Sequence, residues 1–215
     1  MSDKPVTKGH DCLIPLLGIV PAHTPKDLYS SNVEHFQSTE ATAPLFKQDT
    51  IPVILPAFNA PFPHREQFFS KTLRHDEGLT HMLSLFTRQG DNVENPETIV
   101  KEMYTLATVE RGLSGAPNML HGGVIMSLVD EAMGALIEIN RALGKKGEVF
   151  TGLGVTAGLQ INFIKPIFVG TTVTAKATME GSSGRKMNVK CEVTDEAGDV
   201  AVRCSSVWVA IKPKF

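Results

Sequence analysis

The 215 residues carry a formal net charge of −2, with 42% hydrophobic and 20% charged side chains. So balanced a chain gives no electrostatic case for nucleic acid or an anionic membrane surface, and its length suits one sizeable domain plus an extension. Three cysteines, Cys12, Cys191 and Cys204, stand at no metal-ligand spacing and form no disulfide framework, as expected of a reducing compartment.

The stretch CLIPLLGIVPA, residues 12–22, comes nearest to a signal-peptide core, but it is short, holds two prolines and is flanked by Asp3 and Asp11. No run reaches the roughly 18–20 apolar residues of a membrane span. The N-terminus is also not the Arg-rich, acid-poor helix of a transit peptide, so a cytoplasmic location is expected.

Residues 50–69, TIPVILPAFNAPFPHREQFF, carry Pro at 52, 56, 61 and 63. They form neither a regular helix nor a central strand, and their apolar side chains predict an extended arm lying on the main body. REQFFSKTLRH, residues 65–75, reads as a short helix with Phe68, Phe69 and Leu73 facing inward. NPET, residues 95–98, is a turn. Residues 1–78 are thus expected as an extension and 79–215 as the main domain.

Beyond residue 78 the pattern becomes regular. LTHMLSLFTR and KEMYTLATVERG read as strands. The run from His121 to about residue 142 is apolar nearly all round and reads as one long buried helix ending near Gly144. GVTAGLQINFIKPI is a strand stopped at Pro166. In TTVTAKATME, Val173, Ala175, Ala177 and Met179 share a face. In KMNVKCEVT, Met187, Val189, Cys191 and Val193 share one face, and Lys186, Asn188, Lys190 and Glu192 the other. VAVRCSSVWVAI closes the set, and GSSGR and DEAGD are hairpin turns. Period-two alternation marks half-buried antiparallel strands. A helix apolar on most sides needs cover, which one curved antiparallel sheet supplies, so the expected class is α+β with a sheet wrapped around a central helix.

With HGG at 121–123, Asp130 nine positions after the His, Gly134, the strand with Asn162 and Pro166, Gly170, and GRK at 184–186, all in order, residues 80–212 resemble the hotdog-fold acyl-CoA thioesterases of the phenylacetate type. Many relatives place Asn six residues before the His; here that position is Gly115, and Asn118 does not simply inherit the role. Family members lacking the Asn often keep Ser or Thr ten residues before the strand proline, where this chain has Thr156. The resemblance implies an acyl-thioester hydrolase acting on acyl-CoA or a carrier-bound acyl thioester. Coenzyme A is then part of the substrate, and no metal or redox cofactor is implied. The assembly it implies is a homodimer, with pairing of dimers into a tetramer left open.

Thioester hydrolysis needs donors for the developing oxyanion and a base or nucleophile on the other side of the carbonyl. Gly122, opening a helix, offers a backbone N–H at the positive end of the helix dipole, and no side chain blocks the approach. Asp130, amid Met126, Met133, Gly134 and Ile137, is the candidate base or nucleophile. Eight residues of helix put these two groups about 12 Å apart, so one carbonyl carbon cannot touch both within a chain. Two antiparallel helices would bring Gly122 of one copy opposite Asp130 of another.

His121 and Thr156 are candidate supporting groups. Strict alternation puts Thr156 on the face of Gly158, Gln160 and Asn162, away from Leu159, Ile161 and Phe163, unless a bulge near Gly158 re-aims it. Gly123, Asn118 and Glu131 are candidate substrate contacts, Glu131 being also a possible second carboxylate. Arg185 and Lys186, at a hairpin tip, are candidates for coenzyme A phosphates. His75, Asp76, Glu77 and His81 lack a recognised metal-ligand spacing and read as solvent-facing. Two rival classes stand beside the hydrolase. A hotdog hydratase or dehydratase usually has a His a few residues after the Asp, and no His follows Asp130. A non-catalytic acyl-CoA-binding or regulatory member would use the Pro-rich arm as a partner surface.

Overall fold

A computed structural model describes residues 12–22, 24–59, 67–88, 93 and 95–211. Its main feature is one seven-stranded antiparallel sheet. The strands are β1 (Thr50–Val53), β2 (Leu79–Thr87), β3 (Glu102–Val109), β6 (Leu153–Phe163), β7 (Thr171–Ser183), β8 (Lys186–Thr194) and β9 (Val200–Ile211). Their spatial order is β1-β2-β3-β7-β8-β9-β6. Two further strands, β4 (Ser114–Ala116) and β5 (Met119–Leu120), form a small separate hairpin.

The alternation read from the sequence sorts the faces. Val173, Ala175, Ala177 and Met179 of β7 and Met187, Val189, Cys191 and Val193 of β8 are all buried. Between them, Lys186, Asn188, Lys190 and Glu192 are exposed. The buried face curves around the helix α2 (Gly122–Ala142), which packs on β3, β6, β7 and β8. Removing a buried side chain here, such as that of Leu136 at 0% exposure, would cost about 2–5 kcal/mol. Asn140, the one polar residue on the buried side of α2, is fully satisfied. It donates to the Val100 and Leu136 carbonyls at 2.9 and 2.6 Å and accepts from the Val100 amide at 2.8 Å, which fixes the helix against the entry to β3.

The extension is built into this body. Leu13 and Ile54 exchange backbone hydrogen bonds of 2.9 and 3.1 Å, and Cys12, Leu13 and Ile14 are buried, so the apolar start of residues 12–22 is part of the core. The arm supplies β1, an edge strand on β2 that tolerates Pro52. One helix was not anticipated: α1 (Leu28–Ser38), whose buried row is Leu28, Asn32 and Phe36. Asn32 bonds the Leu28 carbonyl at 2.7 Å and accepts the Met82 amide at 2.8 Å, tying α1 to β2.

The short helix expected at residues 65–75 is a wide π-type turn at Phe68–Leu73, with residues 65 and 66 outside the described residues. Phe69 and Leu73 face inward as expected, but Phe68 does not, being 51% exposed. The wider pitch shifts its side chain away from the row that Phe69 and Leu73 share.

Candidate active site

The path into α2 explains the His-Gly-Gly segment. The β4–β5 hairpin turns at Asn118, in the left-handed region with φ of 59°, a conformation Asn tolerates. The chain then runs into His121, an extended helix cap whose Nδ1 accepts from the Gly123 amide at 2.9 Å. The His121 amide donates to the Leu113 carbonyl at 2.9 Å, and the Val124 and Ile125 amides return to the His121 carbonyl. The Gly122 amide finds no acceptor among the described residues, as expected of a first-turn donor at a helix N-terminus. A side chain on Gly122 would meet only the Phe163 ring, 3.6 Å away. Gly115 lies against the imidazole: a Cβ there would be 2.7 Å from His121 Cδ2, so an Asn at that position would displace the cap.

Asp130 sits eight residues further along α2, beside β6. Pairing with β9 shifts between Thr156, opposite Trp208, and Gly158, opposite Val207, leaving Ala157 as an extra residue. This bulge reverses the facing. Gly158, Gln160 and Asn162 lie opposite Val207, Ser205 and Arg203, all exposed, whereas Thr156 shares the helix-facing side with buried Trp208. The Thr156 hydroxyl therefore reaches α2 and donates to Asp130 Oδ1 at 2.6 Å, the length of a charge-assisted O–H···O⁻ bond.

A cavity of about 320 Å³ opens beside this pair, with Glu131, Gly134 and Ile137 on the helix side. Its floor is Trp208, whose indole N–H donates to Ser206 Oγ at 2.9 Å. That hydroxyl in turn contacts Met133 Sδ at 3.0 Å. Glycines keep the space open: a Cβ on Gly134 would press on the Trp208 ring at 3.0 Å, and one on Gly154 would meet Ile137 Cδ1 at 2.6 Å. Trp208, Ser206 and the arm residues Pro56 and Ala57, which also line this cavity, were not singled out from the sequence. Trp208 alone had a local signal, its alternation with Ser206 and Ala210.

Cys204 and Cys191 face each other across β9 and β8. Burial pushes the Cys204 thiol up to about 11, with the Asp130 charge adding to the effect. Burial first, then Cys204 and Glu192, pushes Cys191 up to about 12. Thiols raised this far stay protonated near neutrality and are poor nucleophiles.

The remaining candidates separate. Glu131 is with Asp130. Asn118 is in the hairpin before the helix, where its carbonyl accepts the Val169 amide at 3.0 Å. Arg185 and Lys186 lie at Thr156's end of the sheet: Lys186 pairs with Val209, which pairs with Val155. Two strand spacings put them about 10 Å from β6. Arg185 Nε is 3.9 Å from Glu148 Oε1, both exposed. Among the described residues, no three His, Cys, Asp or Glu side chains group so as to hold a metal ion.

A curved antiparallel sheet around one long helix is the hotdog architecture, and here a glycine amide stands at the helix tip and a carboxylate midway along it. Residues 117–202 match the family model of the thioesterase superfamily. A Saccharolobus solfataricus protein bearing an esterase name is 29% identical over 125 residues, 57% of this chain and 78% of that one. An acyl-coenzyme A thioesterase of Bos taurus is 27% identical over 132 residues, 59% of this chain and 50% of its own length. Among solved structures, the E. coli PaaI protein of the phenylacetic acid degradation operon is 21% identical with a TM-score of 0.43, over 51% of this chain and 72% of that one. Among the described residues no helix is long and apolar enough to cross a membrane.

Proposed function

We propose that this chain hydrolyses acyl-CoA to the free acid and coenzyme A, at sites formed between two copies of itself. The observation that carries the reading is the Thr156–Asp130 hydrogen bond at the mouth of the cavity, which orients a half-buried carboxylate beside a space an acyl group can enter. Asp130 takes a proton from water as the water oxygen bonds the thioester carbon. The negative oxygen is received by the Gly122 amide of the second copy. Collapse breaks the carbon–sulfur bond, and the thiolate takes the proton back from Asp130. Direct attack by Asp130, through a mixed anhydride that water then opens, uses the same residues. His121 caps the helix that presents the amide, Glu131 and Gly123 border the acyl and pantetheine path, and Arg185 and Lys186 meet coenzyme A phosphates. Coenzyme A enters as substrate, and the route calls for no resident cofactor.

Two features support the pairing. β6 is an eleven-residue edge strand with one side unpaired among the described residues, a template for a second chain. Beside the helix N-terminus, Met126, Phe163, Ile164 and Phe168 are 40–55% exposed, an apolar surface that calls for cover.

The test is thiol release from an acyl-CoA panel, with wild type, Asp130→Ala and Gly122→Val, and with the two variants co-expressed. If the sites are composite, each variant alone is inactive. A mixed dimer holds one doubly damaged site and one intact site, so random pairing restores about a quarter of the wild-type rate. Wild-type activity in Asp130→Ala removes the catalytic assignment. No recovery on co-expression removes the composite site. Binding of acyl-CoA without hydrolysis by wild type would favour the non-catalytic class, and hydrolysis of carrier-bound but not free acyl-CoA would change the substrate.

A further inference from the structure

The cavity beside Asp130 has a wall that no part of the catalytic geometry requires. Over Asp130, Gly134 and Glu138 it runs two turns of α2, about 12 Å, toward the helix C-terminus. The helix and β6 supply two sides through Ile137, Leu153 and Val155. A further side is Pro56 and Ala57, which follow β1 at the opposite edge of the sheet. The two sheet edges therefore approach each other over α2, and the Pro-rich arm fills the gap between them.

The arm is held firmly there. The turn Pro56–Phe58 places the Asn59 amide 3.1 Å from the Leu55 carbonyl, and Leu55 and Phe58 are 2% and 0% exposed. Arg74 lies over the Phe58 ring at 4.9 Å and donates to the Phe58 and Asn59 carbonyls at 3.3 Å each. The Leu13–Ile54 pair fixes the approach to it. A segment so anchored acts as a fixed stop rather than a moving lid.

Resting on the acyl-thioester reading above, we infer that Pro56 and Ala57 are specificity-determining residues that close the acyl pocket and limit the chain length it accepts. The occupant is the acyl group, not the pantetheine. Pro56, Ala57, Ile137, Leu153, Val155 and Trp208 give the cavity an apolar wall, Glu131 and Glu138 border it on the helix side with Glu138 paired to Arg141, and Asp130 stands at the end where the thioester carbon must lie. At about 320 Å³ the space is near the lower limit of roughly 300–1,000 Å³ for small-molecule sites, which fits a short acyl group.

The experiment compares kcat/KM for butyryl-, hexanoyl- and palmitoyl-CoA in wild type, Pro56→Ala and Ala57→Leu, with the melting temperature of each. The ratio of long-chain to short-chain values within one protein cancels any loss of active fraction. Pro56→Ala, which removes atoms from a half-buried position, raises the palmitoyl-to-butyryl ratio, and Ala57→Leu lowers the hexanoyl-to-butyryl ratio. Each shift is on the order of tenfold, the discrimination a few methylene groups provide. Ratios within twofold of wild type in both variants overturn the inference while leaving the hydrolase reading intact. Absence of hydrolysis of any acyl-CoA by wild type defeats the hydrolase reading itself. If Ala57→Leu does not fold, Pro56→Ala alone decides.

Discussion

Thr156 and Asp130, 26 residues apart in sequence, are joined by a 2.6 Å hydrogen bond because one extra residue in β6 turns the threonine toward the helix. The bond takes one lone pair of Oδ1 and fixes the carboxylate plane, and the hydrolysis proposed above turns the other oxygen to water or the carbonyl carbon.

That division of roles separates two variants. Asp130→Asn keeps the shape and removes the base; its kcat should fall by about 10²–10⁴ with little change in melting temperature. Thr156→Val keeps the volume and loses the donor; kcat should fall by on the order of tenfold, and Thr156→Ser should recover most of it. Steady-state kinetics on a short acyl-CoA reads both. Equal rates in Thr156→Val and wild type would make the hydrogen bond incidental to turnover.

Gly122 predicts opposite signs for stability and activity. A Cβ there meets only Phe163, at ordinary contact distance, and alanine is a better helix former than glycine. Gly122→Ala should therefore be as stable as wild type or more so, by up to about 0.5 kcal/mol. Its methyl group crowds the path to the amide, so kcat/KM should fall by about tenfold. Chemical denaturation and kinetics on one preparation measure both, and unchanged kinetics would mean that substrate does not approach this amide.

His121 is the helix cap, and its loss should appear first in stability. His121→Ala gives up the bond from the Gly123 amide, at about 1 kcal/mol, or a melting temperature lower by about 2–4 °C. His121→Asn, which can also accept from an amide in the first turn, should restore most of it. A melting temperature unchanged in the alanine variant would contradict the capping role.

How much of this was legible follows from where each residue's position is decided. Alternation in β7 and β8 and the apolar run of α2 are local, and they predicted the sheet, its buried face and the central helix. Thr156 depended on a bulge that only Gly158 hinted at; counting back from Gln160 and Asn162 by twos puts it on the wrong side. Helix α1 was missed because its buried row, Leu28, Asn32 and Phe36, has a polar residue in the middle that is satisfied only by the backbone of β2. Phe68 was misplaced because a π-type turn breaks the 3.6-residue count. Pro56 and Ala57 reach the cavity through the closure of the whole sheet, a long-range relation that no short window of sequence contains.

The contact between α1 and β2 makes the last prediction, a loss of stability in mild acid. His35 of α1 stacks on His81 of β2 with ring centroids 3.7 Å apart and planes within 6°, and His35 Nε2 is 2.7 Å from Thr108 Oγ1. His81 Nδ1 is buried with no hydrogen-bond partner among the described residues. Burial, followed by His35 and Arg74, pushes His81 down to about 4 from 6.5. Burial also lowers His35, against the opposing pull of Glu110. Both folded values lie below the unfolded one, so between pH 6.5 and 4 the unfolded chain binds protons that the folded chain does not. Stability is then complete above pH 6.5 and declines as pH falls toward 4. Both rings are partly solvent-screened, so the decline should be on the order of 1–2 kcal/mol, less than the full shift would give. His81→Phe keeps a stacking ring and removes the titration. Its melting temperature should fall less than that of wild type over the same interval, the difference isolating the histidine from carboxylates that titrate in the same range. Parallel curves for the two proteins would show that the stacked pair does not couple α1 to the sheet through its charge.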